Sequence, residues 1–188
     1  LDELRAEFDR ALTMKDRKRA LNRLWDRLGR IRFIDPACGC GNFIIVAYRE
    51  LRDLELRIME ALQEVSGDGQ LSFDPTNALK VRLDNFYGIE VDEWPARIAE
   101  TALFLTDRQC DLKLRERFGD APRRLPIQSQ PTILAGQSAL TADWAELVEP
   151  SEDVVIAGNP PFLGISLRSD EQKAELEEVW GPWYHGSL

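Results

Sequence analysis

The sequence predicts an α/β protein built on a doubly wound, mostly parallel sheet. Two observations carry that expectation: short apolar runs alternate with helical patterns along the chain, and the first and last of those runs end in chemically distinctive turns. Parallel neighbours need a crossover of a dozen or more residues, and the spacing of the apolar runs supplies it.

Residues 1–30 form the first element, an N-terminal helical segment. Leu1, Leu4, Phe8 and Leu12, then Leu21, Leu24, Trp25 and Leu28, recur at helical spacing with Lys and Arg between them, and Gly29 reads as the stop. Ile31 to Ile34 is a short strand entering the turn Asp35-Pro36-Ala37-Cys38-Gly39-Cys40-Gly41-Asn42-Phe43. Phe43, Ala47, Leu51, Leu54, Ile58 and Leu62 then step by three and four, as one helix face does. Ser66-Gly67-Asp68-Gly69-Gln70 breaks that helix, and short strands are expected at Leu71-Ser72-Phe73 and near Val81-Arg82-Leu83.

Phe86 to Val91 reads as the second core strand. Pro95 sits in the opening turn of a helix whose apolar positions include Ile98, Ala102 and Leu105. Arg117 to Pro131 reads as a loop, Thr132 to Ala135 as the third strand, and Gly136 to Glu149 as a turn with a short helix. Asp153 to Ala157 has the pattern of a buried fourth strand, and Ser169-Asp170-Glu171-Gln172 that of a capped helix start. Four core strands are about half of a usual doubly wound sheet. With Leu1 in place of Met and no closing strand after Trp183, a segment of a larger polypeptide is expected, 31–188 being a partial catalytic domain.

Composition narrows the function. The chain has 188 residues, 44% of them hydrophobic, enough for one core. Its net charge of −9 argues against the segment as a whole being a nucleic-acid clamp, because duplex affinity rests on neutralising phosphates. Cys38, Cys40 and Cys110 form neither a disulfide framework nor a zinc spacing, which predicts a reducing, cytoplasmic setting with no metal. The longest apolar run is too short for a membrane span, so no membrane partner is expected.

Three turns carry the chemistry. Gly39 and Gly41 follow a strand and open a helix, where missing Cβ atoms and free N–H groups suit an anionic group, although such glycines also make a bare tight turn. Glu90 closes the second strand, the place from which a carboxylate accepts hydrogen bonds from ribose hydroxyls. Together they suit a nucleoside ligand with an anionic end. In Asn159-Pro160-Pro161-Phe162, the Asn159 side-chain oxygen and the Pro160 carbonyl can each accept one hydrogen of a ring amine. The nitrogen is thereby drawn towards a tetrahedral geometry and its lone pair freed. Pro160 and Pro161 fix φ without offering an N–H, and Phe162 can stack on an everted base. His185, the single histidine, lies far from these turns in sequence, and Cys38 in its glycine turn suits packing better than nucleophilic attack.

The run Asp35 to Phe43, followed by Gly88-Ile89-Glu90-Val91-Asp92 and then by Asn159-Pro160-Pro161-Phe162, resembles the S-adenosylmethionine-dependent DNA adenine-N6 methyltransferases. The segment Asn85 to Glu90 looks like the large bacterial enzymes that join methylation and restriction in one polypeptide. The resemblance implies a Rossmann-like class I methyltransferase fold and S-adenosyl-L-methionine as cofactor. It implies that Asp35 meets the cofactor's ammonium, that the turn Ala37 to Gly41, with Cys38 and Gly39, lies against its methionine portion, that Pro36 and Phe43 also belong to the cofactor site, and that Glu90 holds the ribose. Val91 would flank the cofactor adenine and Ser138 would contact it, while Asn159 to Phe162 would hold the target adenine. DNA would be gripped through regions largely outside the segment. Two rival readings remain: a methyltransferase acting on RNA or on a protein glutamine amide, which uses a similar turn more often closed by Tyr, and a non-catalytic cofactor-binding module.

Overall fold

The structure is a computed structural model and describes residues 1–66, 78–119, 130–159 and 168–183. Six helices accompany a four-stranded parallel sheet within these residues. The strands are β1 (Arg32–Asp35), β2 (Phe86–Glu90), β3 (Thr132–Ala135) and β4 (Val154–Ile156), and their spatial order is β3-β2-β1-β4. The mixed α/β character and the parallel sheet expected from the sequence are both present, in a Rossmann-like arrangement. The helices are α1 (Asp2–Thr13), α2 (Arg17–Arg30), α3 (Asn42–Ser66), α4 (Glu93–Phe118), α5 (Trp144–Leu147) and α6 (Asp170–Trp180).

The N-terminal segment is two helices rather than one. It breaks at Met14-Lys15-Asp16, where the Asp16 carboxylate accepts the Arg19 N–H and so starts α2. Gly29 is inside α2, not at its end. A Cβ there would lie 2.8 Å from the Lys80 Cβ, so this glycine answers to packing and not to helix termination. Leu21 and Leu24 are fully buried, and each such leucine is worth about 1.5–3 kcal/mol of transfer free energy. Residues of α1, α2, α3, α4 and of β1, β2 and β3 belong to a single apolar cluster, so the helical segment shares the sheet's core.

α3 buries the expected Ala47, Leu51, Leu54, Ile58 and Leu62, whereas Phe43 at its first turn is 48% exposed. α3 also buries two charges that apolar periodicity does not register. The Glu55 carboxylate collects the Trp25 indole N–H at 2.8 Å and the Lys80 and Val81 backbone N–H groups. Arg52 reaches Asp111 at 3.2 Å and Asp107 at 3.4 Å, and the Tyr48 hydroxyl donates to Asp107. These pairs decide which way α4 faces. Its buried side is Ala96, Ala99, Leu103, Thr106, Asp107, Cys110, Asp111 and Leu114, while Ile98 and Leu105, expected in the core, are exposed. Small residues near its start let α4 sit close to the sheet, and the aspartates near its end meet Arg52.

Two further expectations are corrected. Val81 and Leu83 are buried but form no strand, since the chain is irregular there until a 3-10 turn over Leu83–Asn85 feeds β2. Among the described residues β4 pairs with β1 alone, and Val155 and Ile156 are 43% and 58% exposed instead of buried. α4 continues one residue past Arg117, to Phe118, where Gly119 at φ +80° accepts the left-handed position that ends a helix. The capped start at Ser169 is present, with Ser169 and Gln172 bonded reciprocally. The strand expected at Leu71-Ser72-Phe73 lies outside the described residues.

Candidate functional site

The carboxyl ends of β1, β2 and β4 meet at one end of the sheet, and Asp35, the glycine turn, Glu90 and Asn159 stand there. Parallel pairing fixes this: Asp35 stands opposite Gly88, two residues before Glu90, and Ile34 stands opposite Ile156, two residues before Gly158. The ladder runs one step further, where the Ala157 N–H donates to the Ile34 carbonyl at 3.0 Å.

Asp35 is buried, with 1% of its surface exposed. Its Oδ1 accepts the Ala37 N–H at 3.1 Å, and its Oδ2 is buried with no hydrogen-bond partner among the described residues. Burial raises the Asp35 pKa, the Ala37 hydrogen bond opposes the rise, and the nearby Glu90 charge adds to it. A buried carboxylate oxygen left open is a costly thing to keep, and a cationic group would satisfy it.

The glycine turn is held by its backbone. The Cys38 N–H donates to the Ile89 carbonyl at 3.0 Å, which straps the turn to β2, and the Gly41 N–H closes on the Cys38 carbonyl at 2.7 Å. Gly39 and Gly41 take φ +52° and +83°, where a side chain is strained. A Cβ on Gly39 would enter open space, but one on Gly41 would stand 2.9 Å from the Ala99 Cβ, so the turn is open beside the first and the second lets α3 close on α4.

Glu90 joins the two strand ends. One carboxylate oxygen accepts the Gly39 N–H at 2.8 Å and the other the Asp92 N–H at 3.0 Å. The Glu90 carbonyl accepts the Gly136 and Gln137 N–H groups at 2.8 and 3.3 Å, which draws the turn after β3 to the same edge. Ser138 lies in that turn, where its hydroxyl oxygen accepts the Leu140 N–H at 3.2 Å and its own hydrogen remains available. Val91 is 65% exposed and Phe43 about half exposed; both keep apolar surface in solvent near the turn.

Cys38 is buried behind the glycine turn, and a Cβ on Gly88 would lie 2.8 Å from its Sγ. Burial, with added repulsion from Asp35 and Glu90, pushes its thiol up to about 12, so it stays protonated at neutral pH and is no nucleophile. No group of three or more His, Cys, Asp or Glu side chains among the described residues has a metal-binding arrangement.

The last strand brings its corner against Asp35. Asn159 is exposed at the end of this segment. Pro160, Pro161 and Phe162 lie outside the described residues. Gly158, which sequence reasoning passed over, is the residue in closest contact: a Cβ on it would stand 2.3 Å from Asp35 Oδ1 and 3.3 Å from the Pro36 Cδ. The available signal was a glycine placed directly between an apolar strand and Asn-Pro-Pro-Phe, where no turn type calls for positive φ.

This architecture has known relatives. The structure of the Type IIL restriction-modification enzyme MmeI in complex with DNA superposes with a TM-score of 0.87 at 39% sequence identity, covering 100% of this chain and 24% of that one. "DNA methyltransferase A" of Bacillus subtilis (strain 168) is 34% identical over 191 residues, covering 100% of this chain and 21% of its own length. "Adenine-specific methyltransferase PglX" of Streptomyces coelicolor is 24% identical over 164 residues. The chain therefore spans about a fifth to a quarter of the first two of these relatives. The family described as "MmeI, DNA-methyltransferase domain" matches residues 11–186, nearly all of the sequence. On that match, the chain belongs to the MmeI family of DNA-methyltransferase domains from restriction-modification enzymes.

Proposed function

We propose that this segment provides the cofactor site and the acceptor corner of an S-adenosylmethionine-dependent DNA adenine-N6 methyltransferase. The observation that carries the reading is the buried carboxylate of Asp35, whose Oδ1 meets the Ala37 N–H and the Gly158 corner while its Oδ2 has no partner among the described residues. An α-ammonium is a group of the right charge for it, and the N-terminal turn of α3 beside it suits a carboxylate, as in an amino acid. Glu90 would accept from ribose hydroxyls with the lone pairs that the Gly39 and Asp92 N–H groups leave free. Pro36, Ala37, Cys38, Gly39, Gly41 and Phe43 would border the methionine portion. Val91 and Ser138 would flank the adenine.

When bound, the cofactor supplies a methyl group made electrophilic by its sulfonium. The chain's part is positioning. Asn159 and the Pro160 carbonyl would accept the two hydrogens of the adenine amine and turn its lone pair towards the crevice, and Phe162 would stack on the everted base. Adenine as the acceptor base draws support from the adenine-specific relative and from Phe, rather than Tyr, at position 162.

The test uses the full-length polypeptide. Calorimetry should give S-adenosylmethionine binding that weakens about ten-fold or more in Glu90→Ala, as loss of about 1.4 kcal/mol of hydrogen bonding requires. Mass spectrometry of nucleosides from methylated DNA should show N6-methyladenine, and Asn159→Ala should abolish it. Label on RNA or on protein with bare DNA would assign the domain to a different acceptor, and unchanged affinity in Glu90→Ala would take Glu90 out of the site.

A further inference from the structure

The chain is acidic overall, but its charge is segregated. Between positions 10 and 23 stand Arg10, Lys15, Arg17, Lys18, Arg19 and Arg23, against Asp16 alone. Asp16 is committed to capping α2, and Arg17 is paired with Glu64 at 3.0 Å. The other five cations are exposed, and none has an ion pair or side-chain hydrogen bond among the described residues. Elsewhere the chain pairs its arginines readily, as at Arg27 with Glu3 and Glu7, Arg30 with Asp153, and Arg97 with Glu100. Clustering like charges without partners costs repulsion that an acidic chain could easily have relieved. Arg10 and Arg23 both line a concavity of about 400 Å³ between α1 and α2, whose one acidic lining residue, Glu7, is taken up by Arg27, and Arg19 precedes Arg23 by one helical turn on the same face.

We infer that this corner of the α1–α2 hairpin is a docking surface for the phosphodiester backbone of duplex DNA. The inference rests on DNA as the family's acceptor. Unpaired guanidinium and ammonium groups around a shallow concavity match a row of phosphates, and such contacts hold and orient a duplex without reading its sequence. The corner is remote from the crevice. Arg17 pairs with Glu64 near the end of α3, whose first turn borders the glycine turn, and the intervening helix is roughly 33 Å long at 1.5 Å per residue. The contact would therefore fall on backbone about one helical turn of DNA or more from the reacting base, which suits anchoring.

The test compares the full-length polypeptide with Arg10→Gln/Arg19→Gln/Arg23→Gln by fluorescence anisotropy on a labelled 40-base-pair duplex, without cofactor. Each lost phosphate contact lowers the slope of log affinity against log salt by about 0.9, so the variant's slope should be shallower by about 2.7. Equivalently, its affinity deficit relative to wild type should shrink by roughly 40-fold between 50 and 200 mM salt. The charge-conserving Arg→Lys triple should keep the wild-type slope, since phosphate binding here needs point charges. Equal slopes for wild type and the glutamine triple would overturn the inference. So would an equal change from Arg82→Gln/Arg97→Gln/Lys173→Gln, which removes the same charge elsewhere. The readout involves neither cofactor nor methyl transfer, so it can fail while the methyltransferase reading stands, and the reverse.

Discussion

Gly158→Ala isolates how the acceptor corner is placed. Gly158 is exposed and its φ is not positive, so alanine meets no backbone strain there. The obstacle is contact alone: its Cβ would stand 2.3 Å from Asp35 Oδ1 and 3.0 Å from that carboxyl carbon. Ordinary van der Waals contact begins near 3.4 Å, so about 1 Å must open between the end of β4 and the Asp35 carboxylate. Asp35 cannot easily move, because it is buried and tied to the Ala37 N–H. The strand end, paired only with β1 among the described residues, will yield instead and carry Asn159 with it. A misplacement of about 1 Å in a positioning-dependent reaction costs on the order of 100-fold in rate. Stability should change by less than about 1 kcal/mol, because the displaced end is solvent-exposed. Transfer of labelled methyl to DNA by the full-length variant reads the rate, and a thermal melt reads the fold. Turnover within about three-fold of wild type would refute the idea that this contact sets the distance between cofactor and acceptor.

Two further outcomes follow from the charges around the turn. Burial raises the Asp35 pKa, so the folded state holds its proton more tightly than the unfolded chain, and stability falls as pH rises past the ordinary aspartate value of 3.8. Asp35→Asn should therefore melt higher than wild type at pH 7, with the gain vanishing below that value, while calorimetry shows cofactor binding lost. A variant no more stable at neutral pH would mean that the carboxylate is not desolvated. Iodoacetamide at pH 8 should label the exposed Cys40 and spare buried Cys38 and Cys110 in the folded protein, as peptide mass spectrometry would show. S-adenosylmethionine should slow the labelling of Cys40, and equal labelling of Cys38 would contradict its burial.

Much of the sheet was legible in the sequence because each strand is short, apolar and followed by a turn with strict backbone needs. Gly39 and Gly41 announced a strand-to-helix turn, and both adopt positive φ. The outward face of α4 was not legible. Ile98 and Leu105 look like core residues until Arg52 is known to lie buried on α3, at which point Asp107 and Asp111 must turn inwards to meet it. β4 misled in the same way, since its apolar run implies burial, but only β1 pairs with it in the described residues. Gly29 looked like a helix stop and instead makes room for Lys80, distant in sequence. The break at Met14-Lys15-Asp16 was also missed, although Asp16 is an ordinary N-cap.

The sequence by itself determined the order of the four core strands along the chain, the glycine turn and the three motifs, because these depend on local conformational preference and on the chemistry of individual side chains. Tertiary structure alone decided that Glu90 bonds to the Gly39 amide 51 residues away, that Asp35 Oδ2 is buried without a partner among the described residues, and that Gly158 packs against the other oxygen, Oδ1. Those relations follow from strand order and register in a parallel sheet. Neighbours there are brought together by long crossovers, and nothing in a local stretch of residues records which strand end will lie beside which.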